Sequence, residues 1–295
     1  MVSFEVPEVD FRQYSNRQLV AVPLAVLAVA LLVLAGWYVA FGSPVQLGIE
    51  FTGGTEVTVV APGGVEQVTT AFEGSSAPEP CPCTISNIRS VQSASNTYLV
   101  TFQSTDGQAL ASIAENNGMQ VTAVRTTSAT FGEDAQTTAL FGLGLAFVGM
   151  SIIVFLMFRT LIPSVAVLAS AFSDLVIPIA VMNLLNVQLS LGTVAALLML
   201  IGYSVDSDIL LNNHVLRRSG DFYESVRRAM RTGVTMTVTS IAAMTVMTIV
   251  AYLFGIELLS SIGLVLVFGL LADLMNTYML NVSLLRWYKF RGVGR

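Results

Sequence analysis

The chain has 295 residues, 54% hydrophobic and 11% charged, with a formal net charge of −5. That is too apolar for an ordinary soluble fold, in which about a quarter of residues are charged, so lipid is the solvent for most of it. The acidity gathers between residues 42 and 138, where Glu50, Glu56, Glu66, Glu73, Glu79, Asp106, Glu115, Glu133 and Asp134 face only Arg89 and Arg125, which argues against nucleic acid as a ligand.

The first apolar run covers residues 19–41. It is too long for a typical signal core, and Gly42-Ser43-Pro44 is a poor cleavage site, so it reads as a retained span. Five more runs, at 139–158, 161–184, 189–211, 234–254 and 258–280, are long enough to cross a hydrocarbon core of about 30 Å as helices. Arg12, Arg17, Arg159, the group Arg217, Arg218, Arg227, Arg228 and Arg231, and Arg286, Lys289, Arg291 and Arg295 fall on one side of these spans. The positive-inside bias therefore predicts a multi-pass protein of the cell membrane, with residues 1–18 and 281–295 and an Arg-rich loop at 212–233 in the cytoplasm.

Residues 42–138 read as an external domain. Alternation predicts a strand at 55–60, a short helix at 65–72, strands at 84–92 and 97–102 joined by a turn at 94–96, a helix at 107–117 behind the N-cap Asp106, and a last strand at 120–130. The order β-α-β-β-α-β is that of a ferredoxin-like α+β fold. Its acidic surface reads as a solvated face, with salt adaptation or a cation-attracting or partner-binding face as alternatives. Cys81 and Cys83 flank Pro82 too closely for an unstrained disulfide and read as an incidental turn. Two cysteines fall short of a structural zinc site, and neither a metal nor a cofactor is expected.

Ionisable residues inside spans are the most informative chemistry, because each is expensive in hydrocarbon. Asp174, Asp206, Asp208 and Asp273 all fall within spans. Asp206 and Asp208 stand roughly 200° apart around their helix, so one can face the bundle while the other reaches its surface. Arg231, just before the fifth span, is the obvious countercharge, and Thr232, Thr235, Thr237, Thr239, Ser240, Thr245 and Thr248 either line a polar seam or bond back to their own helix. A buried carboxyl near a charge can load and release a proton as water access alternates, which makes proton-coupled movement a hypothesis. No Ser/His/Asp set and no Walker loop is present, so the chain does not read as an enzyme or a nucleotide binder.

Four segments carry a resemblance. Gly48-Ile49-Glu50-Phe51-Thr52-Gly53-Gly54-Thr55 is similar to the G-[IL]-D-F-x-G-G-T signature of the SecF family of protein-export subunits, with Glu where Asp is usual. Ile201-Gly202-Tyr203-Ser204-Val205-Asp206 resembles that family's I-G-Y-S-V-N-D stretch, Asp174 matches its third-span acid, and Arg231-Thr232 its Arg-Thr. The family's acid column falls on Ser207, while Asp206 takes the place that acid has in SecD, a pattern similar to archaeal members. The resemblance implies a polytopic α-helical membrane protein that is half of a pseudo-symmetric unit like that of the resistance-nodulation-division transporters. It also implies an accessory of the Sec export machinery acting with SecD and the SecY channel on unfolded exported polypeptides amid membrane lipids, with Asp174, Asp206, Asp208, Arg231 and Asp273 as relay candidates. A small-molecule or lipid exporter of the same superfamily and a non-transporting scaffold for SecD are the alternatives.

Overall fold

The computed structural model describes residues 11–73, 84–91, 96–217 and 221–292; Cys81 and Cys83 lie outside them, as do Arg218 and most of the 94–96 turn. The first span, α1 (Asn16–Phe41), starts at Ser15, whose hydroxyl and the Gln18 side chain cap each other's amides, and ends at Gly42 in the left-handed region. A short helical turn, α2 (Ile49–Thr52), leads into β1 (Gly54–Val60), followed by α3 (Gly64–Glu73), β2 (Ile85–Ser90), β3 (Thr97–Phe102), α4 (Gly107–Asn116) and β4 (Gln120–Thr127).

All strand pairings are antiparallel and the sheet order is β2-β3-β1-β4, the ferredoxin-like arrangement. Strand alternation sends Val57 and Val59 to one face, where they pack with Val100, Phe102, and Val68, Phe72, Leu110 and Ile113 of the two helices. Glu56 and Arg125, opposed in register on β1 and β4, lie on the other face, which is turned toward the ends of the spans.

Gly53 and Gly54 fit this junction for steric reasons. Gly54 has φ +119° and a Cβ there would stand 2.2 Å from the carbonyl oxygen of Phe102, while at Gly53, φ +72°, a Cβ would stand 2.7 Å from Cα of Ala129.

Ser128 caps α5 (Ala129–Phe158), which therefore starts ten residues before the apolar run and joins the sheet to the membrane without a break. Then come α6 (Leu161–Leu184), α7 (Leu191–Arg217), α8 (Phe222–Leu253) and α9 (Glu257–Met275), and a π-helical segment, Asn276–Asn281, carries α9 on into α10 (Val282–Trp287). The Arg-rich loop predicted at 212–233 is mostly helical, its first residues ending α7 and residues 222–233 beginning α8, with no proline to separate them from the span. Among the described residues, six helices are long and apolar enough to cross a membrane.

Of these, α6, α7 and α9 form the interior, where Val167, Ala171, Leu197, Leu200, Val265 and Leu266 pack together. Gly269 lets α9 approach α7 so closely that a Cβ there would sit 2.3 Å from Leu200. The outer helices leave Val29, Leu32, Leu145, Ile153, Val246 and Leu253 exposed, an apolar belt suited to lipid.

Candidate functional site

Three of the four intramembrane aspartates meet inside the bundle. Asp174 on α6, Asp208 on α7 and Asp273 on α9 are 1%, 0% and 1% exposed, burial that a carboxyl tolerates only with polar partners.

Each has them. Ser204 donates to Oδ2 of Asp174 and Asn276 to its Oδ1, both at 2.6 Å. Thr277 and Asn281 stand 2.8 Å from Oδ1 of Asp208. Ser207 lies 2.8 Å from Oδ1 of Asp273, and the Thr277 hydroxyl is within reach of that same oxygen at 3.2 Å. A hydroxyl has one proton to donate, so Thr277 serves Asp208 or Asp273 but not both at once. Ser207 has the same choice between Asp273 and the Ser204 carbonyl, 2.9 Å away. One rotatable hydroxyl, that of Thr277, thus links Asp208 and Asp273, while Asp174 has its own donors in Ser204 and Asn276. Oδ2 of Asp208 and the hydroxyls of Ser170 and Ser173 are buried with no hydrogen bond of ordinary geometry among the described residues.

The π-helical segment supplies this geometry. Thr277 follows Asn276 directly and Asn281 lies five residues after Asn276, and the wider turn directs all three inward, as π-bulges often do at functional positions. These donors, with Ser207, were not singled out as site residues from the sequence. Their signal is a run of small polar side chains interrupting the apolar sixth span just after Asp273.

Asp206 and Arg231 lie elsewhere. Both are exposed, Asp206 on the outer face of α7 beside Gly202 and Tyr203, and Arg231 on α8 with no ion-pair partner among the described residues. No arginine or lysine pairs with the buried aspartates among the described residues either. Of the fifth-span hydroxyls, Thr235, Thr239 and Thr248 bond back to carbonyls of their own helix.

The entry motif forms a second polar centre, at the end of the bundle that carries the sheet. Glu50 is buried, accepts from Arg125 of β4 and accepts the backbone N–H of Leu191 at 2.6 Å. Around it the Gly48 N–H donates to the Leu189 carbonyl at 2.8 Å, the Leu189 N–H to the Gln46 carbonyl at 2.7 Å, and Asn183 Nδ2 to the Pro44 carbonyl at 2.8 Å. Gly53, Gly54 and Thr55 continue the motif into β1.

A ferredoxin-like domain between the first two of six spans, over a bundle with buried carboxyls, defines a polytopic α-helical membrane protein. Residues 108–291 match the family "Protein export membrane protein SecD/SecF, C-terminal", and residues 38–61 match the "SecD/SecF GG Motif". Among curated relatives, the protein-export membrane protein SecF of Haloferax volcanii is 65% identical and that of Haloquadratum walsbyi 61%, each over the full length of both chains. SecF of Methanocaldococcus jannaschii is 35% identical over 91% of this chain and 94% of its own. The crystal structure of SecDF, a translocon-associated membrane protein from Thermus thermophilus, has the same fold, with a TM-score of 0.72 at 24% identity over 97% of this chain. This chain spans 39% of the SecDF chain. The chain belongs to the SecF family of protein-export membrane proteins, accessory subunits of the cell membrane.

Proposed function

We propose that this SecF-family subunit pairs with a SecD-type partner beside the SecY channel, and that proton binding at Asp174, Asp208 and Asp273 is coupled to its work on exported polypeptides. The observation that carries the proposal is the shared hydroxyl. Thr277 lies 2.8 Å from Asp208 and 3.2 Å from Asp273, so a change of charge on one carboxyl re-aims a donor that the other uses. Neighbouring buried carboxyls also titrate as a set, because the charge on each alters proton binding at the rest. The relay is carried by these three residues; Asp206 and Arg231 belong to the outer face of the same unit.

Partnership with SecD is supported by the SecDF chain, in which the matched region is only 39% of the whole. A cytoplasmic location for both ends is supported by Arg12, Arg159, Arg228, Arg286 and Lys289, which gather at the bundle end opposite the sheet.

Export into vesicles carrying the full complex, with and without a proton gradient, tests the relay. Asp174→Asn, Asp208→Asn and Asp273→Asn should each reduce export to the rate seen without a gradient, whereas Asp206→Asn keeps the stimulation. Retention of gradient dependence by all three buried variants would overturn the relay.

A further inference from the structure

Glu50 has no part in the relay, yet it is 7% exposed at the place where the external domain meets the spans. One carboxylate oxygen takes the Arg125 guanidinium, and the other takes the N–H of Leu191, the first residue of α7. Ser190 and Thr193 already cap that helix end, with Thr193 N–H donating to Ser190 Oγ at 3.2 Å and Ser190 N–H to Thr193 Oγ1 at 2.8 Å. The Leu191 amide is one that this cap does not reach, and the positive end of the helix dipole favours an anion there. Helix α7 then continues unbroken past Ser204, Ser207 and Asp208, about 25 Å further along.

We infer that Glu50 is a positioning residue that joins the external domain to α7, so that the domain and the helix carrying Ser204, Ser207 and Asp208 shift as one body. The consequence for export rests on the relay proposed above; the joint itself rests on the contacts. A carboxylate suits this place because both its oxygens accept, one from a cation and one from a helix amide. Glutamine offers a single acceptor oxygen, and its amide nitrogen would confront either the Arg125 guanidinium or the Leu191 N–H. The backbone clasp between Leu47 and Leu189, paired in an isolated parallel bridge, gives the joint a second strand of support that chemistry can lock.

The test uses the full chain in its complex, with Cys81 and Cys83 replaced by serine. Hydrogen exchange at Gly48 and Leu189 should rise roughly tenfold in Glu50→Gln and in Arg125→Ala, and export should fall by roughly fivefold to a hundredfold, the range of ordinary coupling between sites. A disulfide from Leu47→Cys with Leu189→Cys, added to Glu50→Gln, should restore both slow exchange and export. Unchanged exchange in Glu50→Gln would overturn the inference. So would slow exchange without recovery of export in the cross-linked variant, since Glu50 would then act by its own chemistry. Exchange that behaves as stated, with export indifferent both to these changes and to the buried Asp→Asn variants, would retire the relay and leave the joint standing.

Discussion

Asp206 and Asp208 stand two residues apart on one helix, and the roughly 200° between them puts one on the surface and one in the core. Nothing in their spacing selects which, because the choice belongs to the neighbouring helices, whose π-helical segment sets Thr277 and Asn281 against Asp208. The same dependence on neighbours governs Glu56 of the ferredoxin-like domain. Burial raises its pKa above the ordinary 4.5, with Arg89 opposing and Glu257 adding to the rise. A carboxyl whose folded pKa lies above its unfolded value costs stability once the pH exceeds the folded pKa, and costs none below about 4.5, where it is protonated in both states. Glu56→Gln should therefore slow hydrogen exchange across β1 at pH 7 relative to the parent chain, with the difference fading as the pH falls toward 4. A difference that grows on acidification would contradict the assignment.

Helix ends and irregularities carry more of the site than helix centres do. The apolar runs locate the spans, but α5 starts at Ala129 and α8 at Phe222, because polar residues continue a helix once an adjacent apolar segment has nucleated it. The π-helical segment is similarly invisible to a count of hydrophobicity, although it aims the Asn276, Thr277 and Asn281 side chains at the carboxyls. At the junction of α2 and β1 the backbone itself is the constraint. Gly54→Ala puts a methyl 2.2 Å from a carbonyl oxygen at φ +119°, and it should destabilise the ferredoxin-like domain by about 3 kcal/mol or more. Thermal unfolding of the detergent-solubilised chain would register this, and Gly36→Ala, where nothing lies within 4 Å, provides the control.

The whole molecule is asymmetric about its bundle. Its inner helices α6, α7 and α9 are wrapped by α1 and α5 on apolar faces, whereas α7 carries an exposed strip of Gly202, Tyr203 and Asp206, and Arg231 and Thr232 of α8 are exposed as well. Charged and polar side chains facing hydrocarbon are costly, so this strip suits a protein neighbour better than lipid. With Cys81 and Cys83 replaced, a maleimide should modify Asp206→Cys readily in the isolated subunit and at least about tenfold more slowly when a SecD-type partner is co-expressed. Equal labelling in both preparations would place the partner elsewhere.

Much of this architecture is legible in the amino-acid order, because local rules decide it. Six apolar runs cross a membrane whatever their neighbours, and the β-α-β-β-α-β pattern follows from alternation, capping and turn residues. The four aspartates were recognisable as significant because a charge in a span is conspicuous by itself. Their division into three and one was not, nor was the absence of Arg231 from their company, because both depend on how α6, α7 and α9 rotate against one another. The acid of the entry motif could be read from sequence only as a family letter. Its two oxygens acquire meaning where chain folding brings β4 and the start of α7, residues 125 and 191, to the same carboxylate, a convergence set by long-range packing rather than by any local preference.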